Sequence, residues 1–82
     1  MPSGADFKRL NTLIAEAVAL CEAAQERFKQ IHAELVKAID EGRALTNQQF
    51  DDEREARRKL FDARVQLIVR ERMLRRLTDK DA

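Results

Sequence analysis

A chain of 82 residues, 44% apolar and 38% charged with a formal net charge of +1, is one small domain over 1–82 rather than a disordered tail or a two-domain enzyme. Twelve of the apolar residues are alanine, so large core-building side chains are few, and a single Cys with a single His excludes a disulfide or metal staple. Association with another chain is therefore expected to complete the burial.

Asp6, Lys8 and Arg9 occupy the first ten residues, where no apolar segment follows a basic start, so secretion is not expected. The first helix is expected over about 5–41. Ser3 is its candidate cap, and Asp6 lies beside the positive end of the dipole. Its apolar or small residues fall at Phe7, Leu10, Ile14, Ala17, Cys21, Ala24, Phe28, Ile31, Leu35 and Ala38, in steps that alternate three and four. That rhythm predicts a seam packed along another helix at a shallow angle. Leu13, Val18, Leu20, Val36 and Ile39 widen the stripe towards the flanks that a bundle of more than two helices would cover.

Gly42 predicts the helix end, because glycine takes the left-handed conformation that terminates helices without steric cost. A turn over 42–46 follows. Thr46 and Gln49 then have the spacing of a capping box, with Leu45 and Phe50 at the positions of a hydrophobic staple. So short a connection makes the two helices antiparallel.

The second helix is expected over about 47–77, with acids at its start (Asp51, Asp52, Glu53) and arginines near its end. One seam runs Ala56, Leu60, Ala63, Leu67, Leu74 and Leu77, interrupted at Arg70, which the helical wheel directs away from Arg72 and Arg75. A second stripe holds Phe61, Val65 and Ile68, with Val69 and Met73 on yet another side. Two helices cannot bury all of this. The expected fold is all-α, a long two-helix antiparallel hairpin that dimerises into a four-helix bundle. Phe7, Leu10, Ile14, Cys21, Phe28, Ile31, Leu35, Leu60, Phe61, Leu67, Ile68 and Leu74 form the expected dimer or bundle core. Full burial of Phe28 would make its truncation to Ala cost about 3–5 kcal/mol.

Catalytic chemistry finds little material. The chain holds two Ser-type or thiol nucleophiles at most, Ser3 and Cys21, one His, and no Tyr or Trp. Cys21 takes a seam position as a small apolar residue. His32 lacks the acid that a Glu-x-x-His metal site would place at position 29, where Lys stands. The two glycines stand apart, so no phosphate loop exists. No cofactor, no metal and no enzymatic activity are expected. Arg57, Arg64 and Glu71 do line up at seven-residue spacing below Phe50. Small chorismate mutases place charged residues inside a helical bundle in this way, but they need a third helix.

Charge is divided unevenly: residues 1–41 hold 5 basic and 7 acidic residues, residues 42–82 hold 11 and 8. Between Arg54 and Arg76 nine basic residues face three acids. Arg57, Arg58, Arg64, Arg72, Arg75 and Arg76 are thus the candidate contacts to a phosphate backbone or a partner protein. The two-helix plan resembles the Rop family of plasmid RNA-binding proteins, whose helical hairpins dimerise into four-helix bundles. That resemblance covers layout only, and it implies RNA as the ligand. Acids interrupt the basic run, and no exposed aromatic for base stacking is evident. The plan also resembles small secretion chaperones and assembly adaptors, which cover a partner's amphipathic helix. The expected function is a cytoplasmic, non-enzymatic interaction module of adaptor or chaperone type, acting as a homodimer and through another protein, with no membrane role. RNA binding by the Arg-rich second helix is the alternative.

Overall fold

In the computed structural model, which describes residues 4–80, two helices account for nearly the whole chain: α1 (Gly4–Asp40) and α2 (Asn47–Lys80). Ser3, the candidate cap of α1, lies outside the described residues. The pair is a rod measuring 61 × 17 × 14 Å, as expected of two helices of about 50–55 Å laid side by side. Among the described residues there is no strand.

Every seam position of α1 from Phe7 to Ala38 is buried or half-buried. The facing line on α2 is Gln49, Glu53, Ala56, Leu60, Ala63, Leu67, Arg70, Leu74 and Leu77, again in alternating steps of four and three, and again buried or half-buried throughout. This two-sided regularity is what two long helices need to stay in contact along their length. The fully buried residues are Leu10, Ala17, Ile31 and Ala38 from α1 with Ala56 and Leu60 from α2. Half of them are alanine. Small residues let the backbones approach closely, but they contribute little apolar area to the balance. Phe28 is only half-buried. The 3–5 kcal/mol expected from its complete burial is therefore more than one hairpin can supply.

The turn is closed by backbone bonds. Gly42, at φ 72°, donates to the Ile39 carbonyl at 3.0 Å, and Arg43 donates to the Ala38 carbonyl at 2.9 Å. Together these make a Schellman motif with glycine in the left-handed position. A β-carbon added at Gly42 would meet nothing within 4 Å, so backbone conformation alone sets the cost of replacing it. Gly42→Ala is expected to lower stability by about 1 kcal/mol, read as a lower urea midpoint at unchanged slope. An unmoved midpoint would refute the strain argument.

The restart is a reciprocal capping box. The Thr46 amide donates to Gln49 Oε1 at 2.8 Å, and the Gln49 amide donates to Thr46 Oγ1 at 3.1 Å. Of the expected staple, Leu45 is half-buried while Phe50 is 50% exposed. Two expectations change at the ends of α2. Its first turn holds no acid, since Asp51, Asp52 and Glu53 come a turn later, where Asp52 accepts from Gln48 Nε2 at 2.7 Å. The helix also runs on to Lys80, past the expected Leu77, because no glycine or proline stops it and Thr78 Oγ1 bonds back to the Leu74 carbonyl. Arg75 and Arg76 consequently stand a turn short of the helix end. Dipole effects fade within one turn, so both sets of charges gain less from it than their positions in the sequence imply.

Candidate interaction surface

The most informative correction to the sequence reading concerns Arg70. It faces away from exposed Arg72 and Arg75, as the helical wheel directs, but it does not interrupt the seam. Its side chain is half-buried between the helices, and Nη1 donates to the Leu13 carbonyl of α1 at 2.6 Å. A backbone carbonyl has two lone pairs, so the Leu13 oxygen can accept the guanidinium proton beside its own helix bond. Arg70→Ala is expected to cost about 1 kcal/mol by urea denaturation, the worth of a charged hydrogen bond discounted for partial exposure. Exposed Arg72→Ala should stay within about 0.5 kcal/mol. Equal effects would show that the bond to Leu13 adds nothing.

The hairpin leaves much of its apolar side-chain material outside. Ten large hydrophobic residues are between 37% and 66% exposed: Val18, Leu20, Val36 and Ile39 on α1, with Phe50, Phe61, Val65, Ile68, Val69 and Met73 on α2. Phe61 is the most exposed of all at 66%, and Ile68 is 48% exposed. Neither belongs to the core of the hairpin itself. The remaining expected core residues, Phe7, Leu10, Ile14, Cys21, Phe28, Ile31, Leu35, Leu60, Leu67 and Leu74, all lie on the inner faces.

Each side of the helix pair carries a groove. One, of about 410 Å³, has Phe28 and Leu60 as its floor, with Phe61, Lys29, Arg57 and Arg64 around it. The other, of about 400 Å³, is floored by Ala24, Ala56 and Ala63 and rimmed by Leu20, Lys59 and Asp62. The first is aromatic and flanked by cations. The second has a floor of alanine methyl groups. Leu20, on the flank of the seam by sequence, forms part of this second groove.

Arg57, Arg58, Arg64, Arg72, Arg75 and Arg76 are all exposed. In the heptad of α2 they occupy four different columns: Arg57 with Arg64, Arg58 with Arg72, then Arg75 and Arg76 singly. They do not form one stripe. Arg57 pairs with Glu53 one turn earlier on its own helix, and Lys59 pairs with Glu55 at 3.2 Å. Glu53 is half-buried, whereas both partners of the second pair are exposed, and such exposed i,i+4 pairs add only a few tenths of a kcal/mol. One sequence expectation is overturned: exposed aromatics do exist, since Phe50 is 50% and Phe61 66% exposed, and Phe61 lies one turn from Arg57, Arg58 and Arg64. The signal was available, because Phe61 lies outside the inner seam.

Other chemistry finds no focus. Cys21 is a free, half-buried thiol in the seam. His32 is exposed and stacks on Phe28, with ring centroids 6.0 Å apart. Among the described residues no group of three His, Cys, Asp or Glu side chains could hold a metal ion, and no helix is long and apolar enough to cross a membrane. No protein-family model matches the chain, and neither a characterised protein nor a solved structure is significantly similar to it. The likeness to the Rop family therefore rests on the hairpin plan alone.

Proposed function

We propose that this chain is a non-enzymatic protein–protein interaction module, an adaptor or chaperone-like hairpin that works in the cytoplasm as a homodimer of four-helix-bundle type. One observation carries the reading: ten large hydrophobic side chains stay exposed on a hairpin whose fully buried core is six residues, three of them alanine. Exposed apolar surface on this scale marks an interaction site.

Size-exclusion chromatography with light scattering tests it. A peak at twice the 9.5 kDa chain mass is expected, with no absorbance at 260 nm, where a chain lacking Trp and Tyr is nearly silent. A monomer at all concentrations would overturn the homodimer.

A second reading, RNA binding, is favoured by one specific feature. Phe61 is exposed between Arg57, Arg58 and Arg64, one turn away on either side, and Phe50 stands four residues before Arg54. An aromatic face beside guanidinium groups can stack a base while its neighbours hold phosphate. Strong absorbance at 260 nm that disappears in high salt would put this reading first, since phosphate contacts weaken steeply as salt rises.

A further inference from the structure

We propose that the second copy docks on α2 and runs antiparallel to it, with the two-fold axis beside the turn Phe61–Val65. Phe61, Val65 and Ile68 of both chains then form the shared apolar seam, and Glu71 of each chain meets Arg54 or Arg57 of the other. This rests on the homodimer reading and adds its face, direction and centre.

Area argues for an occupant of this size. The chain exposes 6608 Å², whereas a compact protein of its mass would expose about 5,000 Å². The excess, about 1,600 Å², is twice the roughly 800 Å² that each partner gives to a stable interface of ordinary size. Apolar exposure then selects the helix. Six of the ten exposed large hydrophobics belong to α2. Three adjacent heptad columns of α2, containing Arg57–Arg64–Glu71, Phe61–Ile68 and Val65, form one continuous arc beside the Phe28–Leu60 groove.

Charge selects a second copy and its direction. Glu71 is the only acid between Arg64 and Arg76, it is exposed, and it makes no ion pair within the chain among the described residues. It lies seven residues after Arg64, as Arg57 lies seven before. In a parallel pairing each of these charges would face its own image. An antiparallel pairing centred on Phe61–Val65 instead carries Glu71 to Arg54 or Arg57 of the second copy, twice by symmetry, and sets Phe61 against the arc from Arg64 to Ile68. Such self-complementarity is what a closed two-fold interface requires. The remaining like charges are Arg64, which comes close to its own symmetry mate at the exposed edge of the seam where salt screens it, and Arg75, which stands more than two helical turns from the axis in solvent.

Cross-linking of the full chain tests this. In a Cys21→Ala background, only a cysteine near the axis can reach its own symmetry mate. Arg64→Cys is expected to give a disulfide-linked dimer at least tenfold faster than Arg75→Cys under mild oxidation at micromolar protein, with unlinked mass measured in parallel. A second test is charge reversal. Glu71→Arg should weaken dimerisation at least tenfold with helicity unchanged by circular dichroism, and adding Arg54→Glu with Arg57→Glu should restore it. A dimer by mass in which Arg64→Cys links no faster than Arg75→Cys would overturn the placement while leaving the homodimer standing. A monomer, or a peak carrying salt-labile absorbance at 260 nm in place of the dimer, would overturn both.

Discussion

Truncating Ile31 to Ala should lower the folding free energy by about 2–4 kcal/mol. Ile31 is 6% exposed and sits at the helix interface beside Ala56 and Asp52. Neither neighbour can collapse into the space, since Ala56 is too small and Asp52 would have to desolvate a carboxylate, so the cavity term is expected nearly in full. On a domain of this size each kcal/mol moves the melting midpoint by about 4–8 °C. The midpoint should therefore fall by about 8–32 °C by circular dichroism. Ile39, of the same chemistry but 60% exposed, is the control. Its truncation should stay within about 0.5 kcal/mol, and equal losses at the two positions would refute the seam of α1.

Phe61→Asp should produce the opposite pattern: an intact hairpin that no longer associates. The ring is 66% exposed in the single chain, so folding of one hairpin loses almost nothing. In the proposed dimer the same ring lies close to the two-fold axis, and replacing it removes the largest apolar contact of the shared seam twice, once in each copy. A weakening of dimerisation by at least about 100-fold is expected, or roughly 3 kcal/mol, measured as the concentration at which light scattering reports half dimer. Because folding and association are coupled in small dimers, the melting midpoint should also lose its dependence on protein concentration. Met73→Asp is the matching control. Met73 is 51% exposed but lies on the far side of the α2 heptad from Phe61, so its replacement should leave the dimer mass unchanged. Loss of dimer in both variants would place the interface elsewhere.

Much of the hairpin was legible because its signals are local. Ten seam residues in alternating steps of three and four define a helix and its inner face before any partner is known. Gly42 and the Thr46–Gln49 pair mark stop and start through bonds that span at most five residues, and the Schellman motif and capping box occur where those residues stand. Arg70 shows the limit of such reading. A charged residue in an apolar seam reads as an interruption, yet it lies at the interface and donates to a carbonyl 57 residues away on the other helix. No local pattern encodes that coincidence.

Phe61 and Ile68 show a second limit. Sequence periodicity marks them as apolar and off the main seam, which is correct, but it cannot say that one partner helix leaves them bare. Composition and spacing by themselves determined an all-helical chain, two long helices, the place of the turn and the inner faces, since each follows from backbone preferences and hydrophobic period. The tertiary structure decided how deep the core is, which aromatics remain exposed, and that an arginine fastens the two helices. Those outcomes depend on the distance between helix axes and on which small residues lie opposite which large ones, and these are settled only when the two helices meet.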